Sequence, residues 1–300
     1  MIYFTVSPKK LYKYRSFGVN SLRLLSEAEA FYANPRSFND PLDCDPSIQT
    51  DTDLVLLEKL CFKILIDVYG REKAIKEMKN ERYMSTECGD YRTDKKAENY
   101  YVQRLRSQVK RLLDAEMAAW GVLSLSARWD CTLMWSHYAD MHRGLCIEYD
   151  LENHVCSDLK KVDYKTDRNI KISDLIDWKI NKSAAAHRSI LDTYFYAKSR
   201  QWRYEKEWRD IQPMSGVKPS PFFKIAGVYF GLRCDSSVRT SVVKLFSDFQ
   251  PKIKFYDVDT QEEGSRLKRQ LVDCCTIEAT GVRNSVPFDL RDMPDESENG

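Results

Sequence analysis

The sequence predicts a single α+β domain in which helices surround a split, mixed β-sheet. Stretches with strand character recur along nearly the whole chain, and stretches with helical periodicity lie between them. Hydrophobic residues make up 43% of the 300 residues and charged residues 31%, a balance typical of a chain that buries a core. No internal repeat and no low-complexity linker divides the chain. We therefore assign residues 1–292 to one domain with a helical insertion near residues 50–118, and we expect the acidic, Gly-ended residues 293–300 to form a flexible tail.

The N-terminal part of the chain predicts two short strands and two helices. Apolar and charged residues alternate over residues 11–15, which predicts a strand. Residues 20–25 predict a short helix whose first residue, an asparagine, is a suitable cap. Residues 30–33 predict a second strand, and residues 34–41, rich in Pro, Asn and Asp, predict a turn-rich loop. Apolar residues at steps of three and four over residues 53–69 predict a long helix.

The middle of the chain predicts one further helix and three strands. The charged residues 71–96 are weakly patterned, and we assign no element to them. Residues 98–119 predict a second long helix. Residues 120–126 and 145–150 are largely apolar and short, which favours buried strands, and residues 161–164 predict a third strand.

The C-terminal part of the chain again alternates between the two types of element. Residues 172–200 predict one helix, and residues 203–211 predict a strand with alternating side chains. Residues 225–231 predict another strand, residues 236–248 a helix and residues 252–258 a last strand. Because strands are spread over the whole length, a single composite sheet explains the pattern better than two domains.

Composition and charge exclude several classes of protein. The 47 Lys and Arg residues nearly balance the 45 Asp and Glu residues, so a net charge of +2 gives no whole-molecule attraction to nucleic acid or acidic lipid, although a local basic patch is compatible with it. The chain starts without a secretory signal and contains no apolar run long enough to span a membrane, so we expect no membrane contact. The nine scattered cysteines indicate reduced thiols and a cytoplasmic location. Walker, Gly-x-Gly-x-x-Gly and Gly-x-Ser-x-Gly motifs are absent, which disfavours P-loop enzymes and seryl hydrolases.

The first candidate motif is WRYEKEWR at residues 202–209. If this segment is a strand, Glu205 and Glu207 share one face with their carboxylates roughly 7 Å apart. Such a pair, flanked by guanidinium groups, is suited to holding a sugar hydroxyl and stabilising an oxocarbenium-like centre. The alternative is a solvated face of Glu–Arg ladders on a sheet whose other face is core.

The second candidate motif is WSHY at residues 135–138, followed by His142 and Gly144. His137 and Tyr138 are suited to binding a ligand by hydrogen bonding and stacking. The alternative is a satisfied core histidine beside a buried tyrosine.

A zinc site is a further alternative for the same segment. Four zinc-competent side chains occur there: Cys131, His137, His142 and Cys146. Their spacing matches no common zinc finger, and the last of them falls in a predicted buried strand. We therefore expect no metal.

Taken together, the motifs resemble those of a known bacterial family. The motifs are LYKYR at 11–15, PRSFNDPLD at 35–43, LMWSHYADMHRGLCIEYD at 133–150, Lys198 with WRYEKEWR at 202–209, and GVYFG at 227–231. Their order is similar to that of the domain-of-unknown-function family numbered twenty-nine seventy-one. The name of that family implies no activity. Its members resemble small bacterial and prophage-associated proteins, some of them near defence genes, which implies an antitoxin or defence-system partner.

The chain also resembles the ADP-ribosyltransferase fold in the order of its polar residues. In that fold an early strand carries an Arg or His that grips NAD, a middle strand carries Ser or Tyr, and a late strand carries the catalytic Glu, often as Glu-x-Glu. The corresponding residues in this chain follow the same order: Arg15, preceded by Tyr14; then Ser136, His137 and Tyr138; then Glu205 and Glu207. The opening, Tyr12 to Arg15 followed by a short helix and Phe31–Tyr32, is similar as well.

The resemblance implies NAD as the substrate and a role for each of these residues. Glu207 would orient the ribose 2′-hydroxyl and stabilise the oxocarbenium ion, and Glu205 would activate or position the acceptor. Arg15 would bind phosphate or ribose, and His137 and Tyr138 would cradle ribose and nicotinamide. We therefore predict that Arg15, His137, Tyr138 and Glu207 line one cavity, over which the loop of residues 37–43 could lie.

The acceptor and two rival functions remain open at this point. The acceptor could be nucleic acid, protein or water, in a toxin or phage-defence effector. A metal-dependent nuclease would hold Mg²⁺ at Glu148 or Asp150 together with Asp163, an arrangement that faintly resembles restriction-type nucleases. A non-enzymatic binding module would use the same aromatic and basic residues to hold nucleic acid or a partner protein.

Overall fold

The computed structural model describes residues 8–27, 29–87, 89–151, 159–165, 167–219, 224–246, 253–261 and 266–273. The predicted tail at residues 293–300 lies outside these residues.

The described part of the chain alternates between helices and strands. The helices are α1 (Val19–Ser26), α2 (Leu54–Tyr69), α3 (Arg71–Thr86), α4 (Lys95–Met117), α5 (Thr132–Tyr138), α6 (Ile172–Lys179), α7 (Ala184–Tyr196) and α8 (Ser236–Phe246). The strands are β1 (Lys10–Arg15), β2 (Glu29–Tyr32), β3 (Ser47–Gln49), β4 (Gly121–Ser126), β5 (Leu145–Asp150), β6 (Lys160–Lys161), β7 (Asn169–Lys171), β8 (Glu207–Gln212), β9 (Gly216–Pro219), β10 (Lys224–Phe230), β11 (Lys254–Thr260) and β12 (Leu267–Leu271). Two 3₁₀ turns, Pro35–Ser37 and Arg200–Glu205, complete the elements.

Eight of these strands form one mixed sheet in the order β12-β11-β10-β5-β1-β4-β8-β6. β10 and β11 are parallel, whereas the other neighbouring pairs are antiparallel. The pairs β2–β9 and β3–β7 form two small separate sheets. The prediction of an α+β chain with a mixed sheet and surrounding helices is thereby confirmed.

The large sheet is split between β1 and β4. β1 pairs with β5 along six residues, but in the described structure its only register position with β4 is Tyr12 opposite Ser126. Farther along, Ala33 bridges Val122 and takes the place that β1 would otherwise occupy. The two strands therefore diverge and leave a cleft inside the sheet.

Three clusters of buried side chains hold the elements together. The largest lies among α2, α4, α6 and α7 and reaches the sheet at Val122 and Ile211. A second joins α1 and α8 to the sheet through residues such as Leu24 and Val242. A third surrounds the fully buried Trp135 of α5. Burial of each large apolar side chain contributes about 1.5–3 kcal/mol, so these clusters fix the walls of the cleft.

Several predicted elements differ from the observed ones. The predicted strand over residues 203–211 is wrong for its first half, because Lys206 takes a left-handed conformation (φ 45°) that ends a 3₁₀ turn before β8 begins. The predicted helix over 172–200 is two helices, with Ser183 capping the second. Residues 71–86, to which no element was assigned, form α3. This helix packs against α2 and α4 through few buried side chains, which is why its sequence shows a weak apolar pattern. The helices α2, α3 and α4 occupy the region predicted as a helical insertion.

No helix in the described ranges combines the length and apolar character that crossing a membrane requires.

Candidate active site

A cavity of about 330 Å³ occupies the cleft between β1 and β4. Its size lies at the lower end of the range for small-molecule sites. Four parts of the chain line it: β1 with β4, the loop after β2, helix α5, and the residues around the second 3₁₀ turn. The side chains that carry chemistry there are Tyr12, Lys13, Tyr14, Asn39, Asp43, Ser124, Ser126, His137, Tyr138, Lys198, Glu205 and Glu207.

The loop after β2 forms one wall of the cavity. Asn34 begins a 3₁₀ turn by accepting a hydrogen bond from the Arg36 amide through its side chain, and its own amide group donates to the Ala118 carbonyl. The turn directs Ser37, Phe38 and Asn39 into the cavity lining. The loop of residues 37–43 therefore lies beside the cavity, and Asp43 at its end also lines it.

Helix α5 forms the opposite wall. Trp135 anchors it, because the indole is fully buried and donates to the Trp129 carbonyl. His137 and Tyr138 follow and line the cavity. Gly144 then lets the chain pass close to β1, where a Cβ atom would lie 2.2 Å from the Arg15 carbonyl oxygen.

Five charged side chains are buried together at the base of the cavity: Asp43, Lys198, Glu205, Glu207 and Arg209. Lys198 Nζ lies 2.6 Å from Glu205 Oε2, 3.0 Å from Glu207 Oε2 and 3.2 Å from Asp43 Oδ2. Arg209 binds Asp43 through two nitrogens, at 2.9 and 2.6 Å, and its Nε donates to Glu207 Oε1 at 2.7 Å. Every member is nine-tenths buried, so the group is held by mutual pairing rather than by water.

The surroundings of the two glutamates in this group shift their pKa values in opposite directions. Burial raises the pKa of Glu205, and Lys198 beside it offsets only part of that effect. Burial acts in the same direction on Glu207, but Arg209 and Lys198 together hold its pKa well below the usual range. Glu207 is therefore held as an anion, whereas Glu205 takes up a proton more readily than an ordinary glutamate does.

Lys13 supplies a cation on the β1 side of the cavity. Its ammonium donates to the Ser124 carbonyl oxygen at 2.7 Å across the split in the sheet. Burial and the nearby positive charge of Arg15 lower the pKa of Lys13 to about 8, although Glu207 acts in the opposite direction. The ammonium therefore titrates close to physiological pH.

The structure brings most of the predicted site residues together but not all. Tyr14, His137, Tyr138, Glu205 and Glu207 line the one cavity.

Arg15 does not share this cavity, which corrects the prediction that it would. It lies at the end of β1, opposite Leu145, and lines a separate small hollow with Asn20, Arg23 and Glu29. Ser136 is also outside the cavity lining: it is exposed, and its hydroxyl donates to the Thr132 carbonyl.

The proposed geometry of the two carboxylates also needs correction. Glu205 and Glu207 do not stand on one face of a strand, because Glu205 closes the 3₁₀ turn and only Glu207 belongs to β8. Lys198 joins the two carboxylates instead. The alternative of a solvated Glu–Arg ladder is wrong as well, since Glu207 is 5% and Arg209 0% exposed.

Several lining residues were not predicted as site residues. Lys13 lies between two tyrosines, and a cation flanked by aromatic side chains within a strand was an available signal. Ser124 and Ser126 interrupt the otherwise apolar β4; the Ser126 hydroxyl donates to the Glu205 carbonyl at 2.7 Å. Lys198 and Asp43 belong to motifs that we noted, but their pairing with the glutamates depends on contacts across the fold.

The side chains named in the zinc alternative do not come together as a metal site in the described structure. Among the described residues no group of three or more His, Cys, Asp or Glu side chains could hold a metal ion. Glu148 of the nuclease hypothesis is buried and accepts hydrogen bonds from Tyr229 and Lys10, at 2.5 and 2.7 Å. The described cysteines are free thiols: Cys44, Cys61, Cys131, Cys146 and Cys234.

Comparison with known proteins identifies the central segment of the chain. The model of a family described as "Protein of unknown function (DUF2971)" matches residues 134–209, which run from α5 through the buried charges. No curated protein and no solved structure matches the chain. The family resemblance that the motifs predict is thus confirmed for residues 134–209, the segment that matches the DUF2971 family model.

Proposed function

We propose that the protein is an ADP-ribosyltransferase-like enzyme that cleaves NAD at the bond between ribose and nicotinamide. The observation that carries the proposal is a pair of cavity-lining carboxylates, Glu205 and Glu207, whose pKa values are shifted in opposite directions. Carboxyl pairs whose pKa values are driven apart commonly divide the roles of acid or base and of electrostatic stabiliser. The finer fold assignment, an ADP-ribosyltransferase-like sheet, belongs to the same proposal and is supported by the split between β1 and β4.

In the proposed reaction, Glu207 remains ionised beside the ribose. The C1′–N bond breaks, its electron pair leaves with nicotinamide, and the ribose becomes an oxocarbenium ion. An oxygen or nitrogen of the acceptor then bonds to C1′ and passes its proton to Glu205. A fixed anion where positive charge develops typically contributes a factor of about 10²–10³ in rate.

Other lining residues would orient the substrate. Lys13, rather than Arg15, is the cation available to a phosphate or ribose oxygen in this cavity. Tyr12, Tyr14 and His137 offer flat apolar surfaces for the nicotinamide ring, as aromatic side chains do in many small-molecule sites. The cavity volume suits the nicotinamide riboside half of the substrate. NAD is used as a substrate in this scheme, which requires no metal.

The biological setting that we propose is a toxin or phage-defence effector, because depletion of NAD or modification of a cellular acceptor is harmful to the cell. Such a protein would be controlled by an antitoxin or defence-system partner.

The test is to measure nicotinamide release from NAD by the purified protein, alone and with RNA, DNA or cell lysate. Glu207→Gln should lower the rate by about 10²–10³, whereas Glu205→Gln should impair transfer to an acceptor more than release of nicotinamide. Ser136→Ala is the matched control, since this nearby residue lies outside the cavity.

Thermal unfolding must accompany each assay, because Glu207 is a partner of buried cations. Wild-type protein that releases no nicotinamide under any of these conditions contradicts the proposal. A folded Glu205→Gln protein with full hydrolysis and full transfer also contradicts it, and that outcome does not depend on whether Glu207→Gln folds.

A further inference from the structure

We propose that a basic groove beside the cavity binds single-stranded nucleic acid and that this strand is the acceptor of the transferred ADP-ribose. The binding half stands on the groove alone, whereas the acceptor half rests on the function proposed above.

The groove is a hollow of about 1590 Å³ formed by β6, the loop that follows it and the 3₁₀ turn that ends at Glu205. Seven cationic side chains line it: Lys161, Lys165, Arg168, Lys198, Arg200, Arg203 and Lys206. Two carboxylates, Asp163 and Asp167, accompany them. Since the whole chain has a net charge of only +2, this is a local concentration of positive charge.

Most of these cations are available to a ligand. Lys161, Lys165, Arg200, Arg203 and Lys206 are exposed, and none of them pairs with a carboxylate within the part of the chain that the structure describes. Cations of this kind bind phosphates with release of counterions, which makes the affinity depend strongly on salt.

Aromatic side chains in the groove favour a single strand over other polyanions. Tyr164 and Tyr204 line it and are half-buried, so part of each ring faces the hollow. Bases of a single strand stack on such rings, whereas the bases of a duplex are already stacked within it. An acidic peptide would use the cations but would gain little from the tyrosines.

The groove and the cavity are neighbours with shared walls. Lys198 lines both. The Tyr164 hydroxyl accepts a hydrogen bond from the Glu207 amide at 2.9 Å. The Tyr204 ring lies 6.5 Å, centroid to centroid, from the ring of His137 in the cavity. A strand in the groove would therefore pass beside the two glutamates.

The transfer step follows from this placement. A ring nitrogen or a hydroxyl of the strand forms the new bond to ribose C1′, the C1′–N bond to nicotinamide breaks, and nicotinamide leaves with the bonding electron pair. The proton of the nucleophile passes to Glu205.

The experiment compares two charge-reversal variants of the full chain. The groove variant is Lys161→Glu, Lys165→Glu, Arg200→Glu. The control variant, Lys76→Glu, Lys79→Glu, Arg106→Glu, changes the charge equally on exposed positions of α3 and α4. Binding of fluorescent single-stranded RNA, single-stranded DNA, duplex DNA and poly-glutamate is measured by anisotropy at several salt concentrations, and transfer of labelled ADP-ribose from NAD to the strand is measured separately.

We expect the wild type and the control variant to bind a single strand with a steep salt dependence. The groove variant should bind at least tenfold more weakly, with a slope reduced by about 2, since each lost phosphate contact removes about 0.7. Nicotinamide release without acceptor should be unchanged in the groove variant, because its three positions lie outside the cavity lining.

The outcomes separate the two proposals. Equal loss of binding in both variants, no binding of single strands, or tighter binding of poly-glutamate or duplex overturns the groove proposal even if NAD is cleaved. Groove-dependent binding by a protein that cleaves no NAD supports the binding half and contradicts the proposed function. Groove-dependent binding and NAD cleavage without label on the strand overturn the acceptor half alone.

Discussion

The Tyr138 hydroxyl donates a hydrogen bond to Glu205 Oε1 at 2.7 Å, and this bond joins helix α5 to the 3₁₀ turn across the cavity. Lys198 holds the other oxygen of the same carboxylate at 2.6 Å. The two motifs singled out in the sequence therefore meet at one carboxyl group, and each of its oxygens has a defined partner.

Substitution of Tyr138 by Phe tests the role of this bond. The bond lowers the pKa of Glu205 against the larger effect of burial, so its loss should raise that pKa further. Less of the Glu205 carboxylate is then ionised at a given pH, and the acid limb of the transfer rate should move to higher pH. The free energy of unfolding should fall by about 1 kcal/mol. A pH profile identical to that of the wild type would contradict a role of Glu205 as base.

The pKa of Lys13, about 8, predicts a second pH effect. The ammonium is charged below this pKa, so KM for NAD should rise as the pH passes above 8. Lys13→Arg should remove the effect because arginine stays charged. Kinetic profiles of both proteins from pH 7 to 9.5 provide the measurement; parallel profiles would show that Lys13 does not bind the substrate.

The lowered pKa of Lys13 should also make the free energy of unfolding depend on pH. The pKa of Lys13 is lower in the folded protein than in the unfolded chain. Below pH 8 Lys13 is protonated in both the folded and the unfolded state, so the full cost of burying its charge is present there. Between about 8 and the unfolded pKa near 10.4, the unfolded state binds more protons, so stability rises with pH. Lys13→Met should lack this rise in urea unfolding experiments at pH 7.5 and 9.5.

Arg209 should be among the most sensitive positions in the fold. Arg209→Met leaves Asp43 and Glu207 buried without their guanidinium partner, so we expect a loss of about 3–5 kcal/mol in the free energy of unfolding. Arg143→Met is the matched control, because the Arg143–Asp140 pair is exposed and should contribute less than about 1 kcal/mol. Equal urea midpoints for the two variants would refute the importance of the buried network.

Gly144 tests the close approach of α5 and β1. A Cβ atom there would lie 2.2 Å from the Arg15 carbonyl oxygen, so Gly144→Ala should destabilise the protein by about 1–3 kcal/mol. At Gly18 a Cβ atom would have no neighbour within 4 Å, which makes Gly18→Ala a control with a small expected effect. Thermal unfolding of both variants checks the prediction, which a normal melting temperature for Gly144→Ala would disprove.

The sequence predicted those features that depend on local pattern. The periodicity of residues 53–69 locates α2 to within one residue, and the apolar run 145–150 coincides with β5. Local pattern failed where tertiary contacts decide the backbone. Alternation over residues 203–211 suggested a strand throughout. In the structure the segment up to Glu205 is instead a turn that ends at Lys206 in the left-handed conformation, and Glu205 contacts Tyr138 and Lys198 from this turn.

The same distinction explains which site residues were found. Glu205, Glu207, His137 and Tyr138 belong to dense polar and aromatic motifs that a sequence displays directly. Lys13 and Arg15 are two cations on one strand, and which of them reaches the cavity depends on where β1 separates from β4. That point is set by the Ala33–Val122 bridge, a contact between residues far apart in sequence.

The separation of β1 from β4 has a consequence for how specificity would change. Between the Tyr12–Ser126 pair and the Ala33–Val122 bridge, β1 and β4 do not pair with each other in the described part of the chain, and the Ser124 carbonyl there accepts a hydrogen bond from the Lys13 side chain. A ligand between the two strands would meet main-chain groups as well as side chains, and main-chain groups remain the same whatever side chains the strands carry. Contacts to peptide groups survive substitutions in the sequence, so a change of substrate would have to come from the side chains that line the cleft, on β1, on the loop after β2 and on α5.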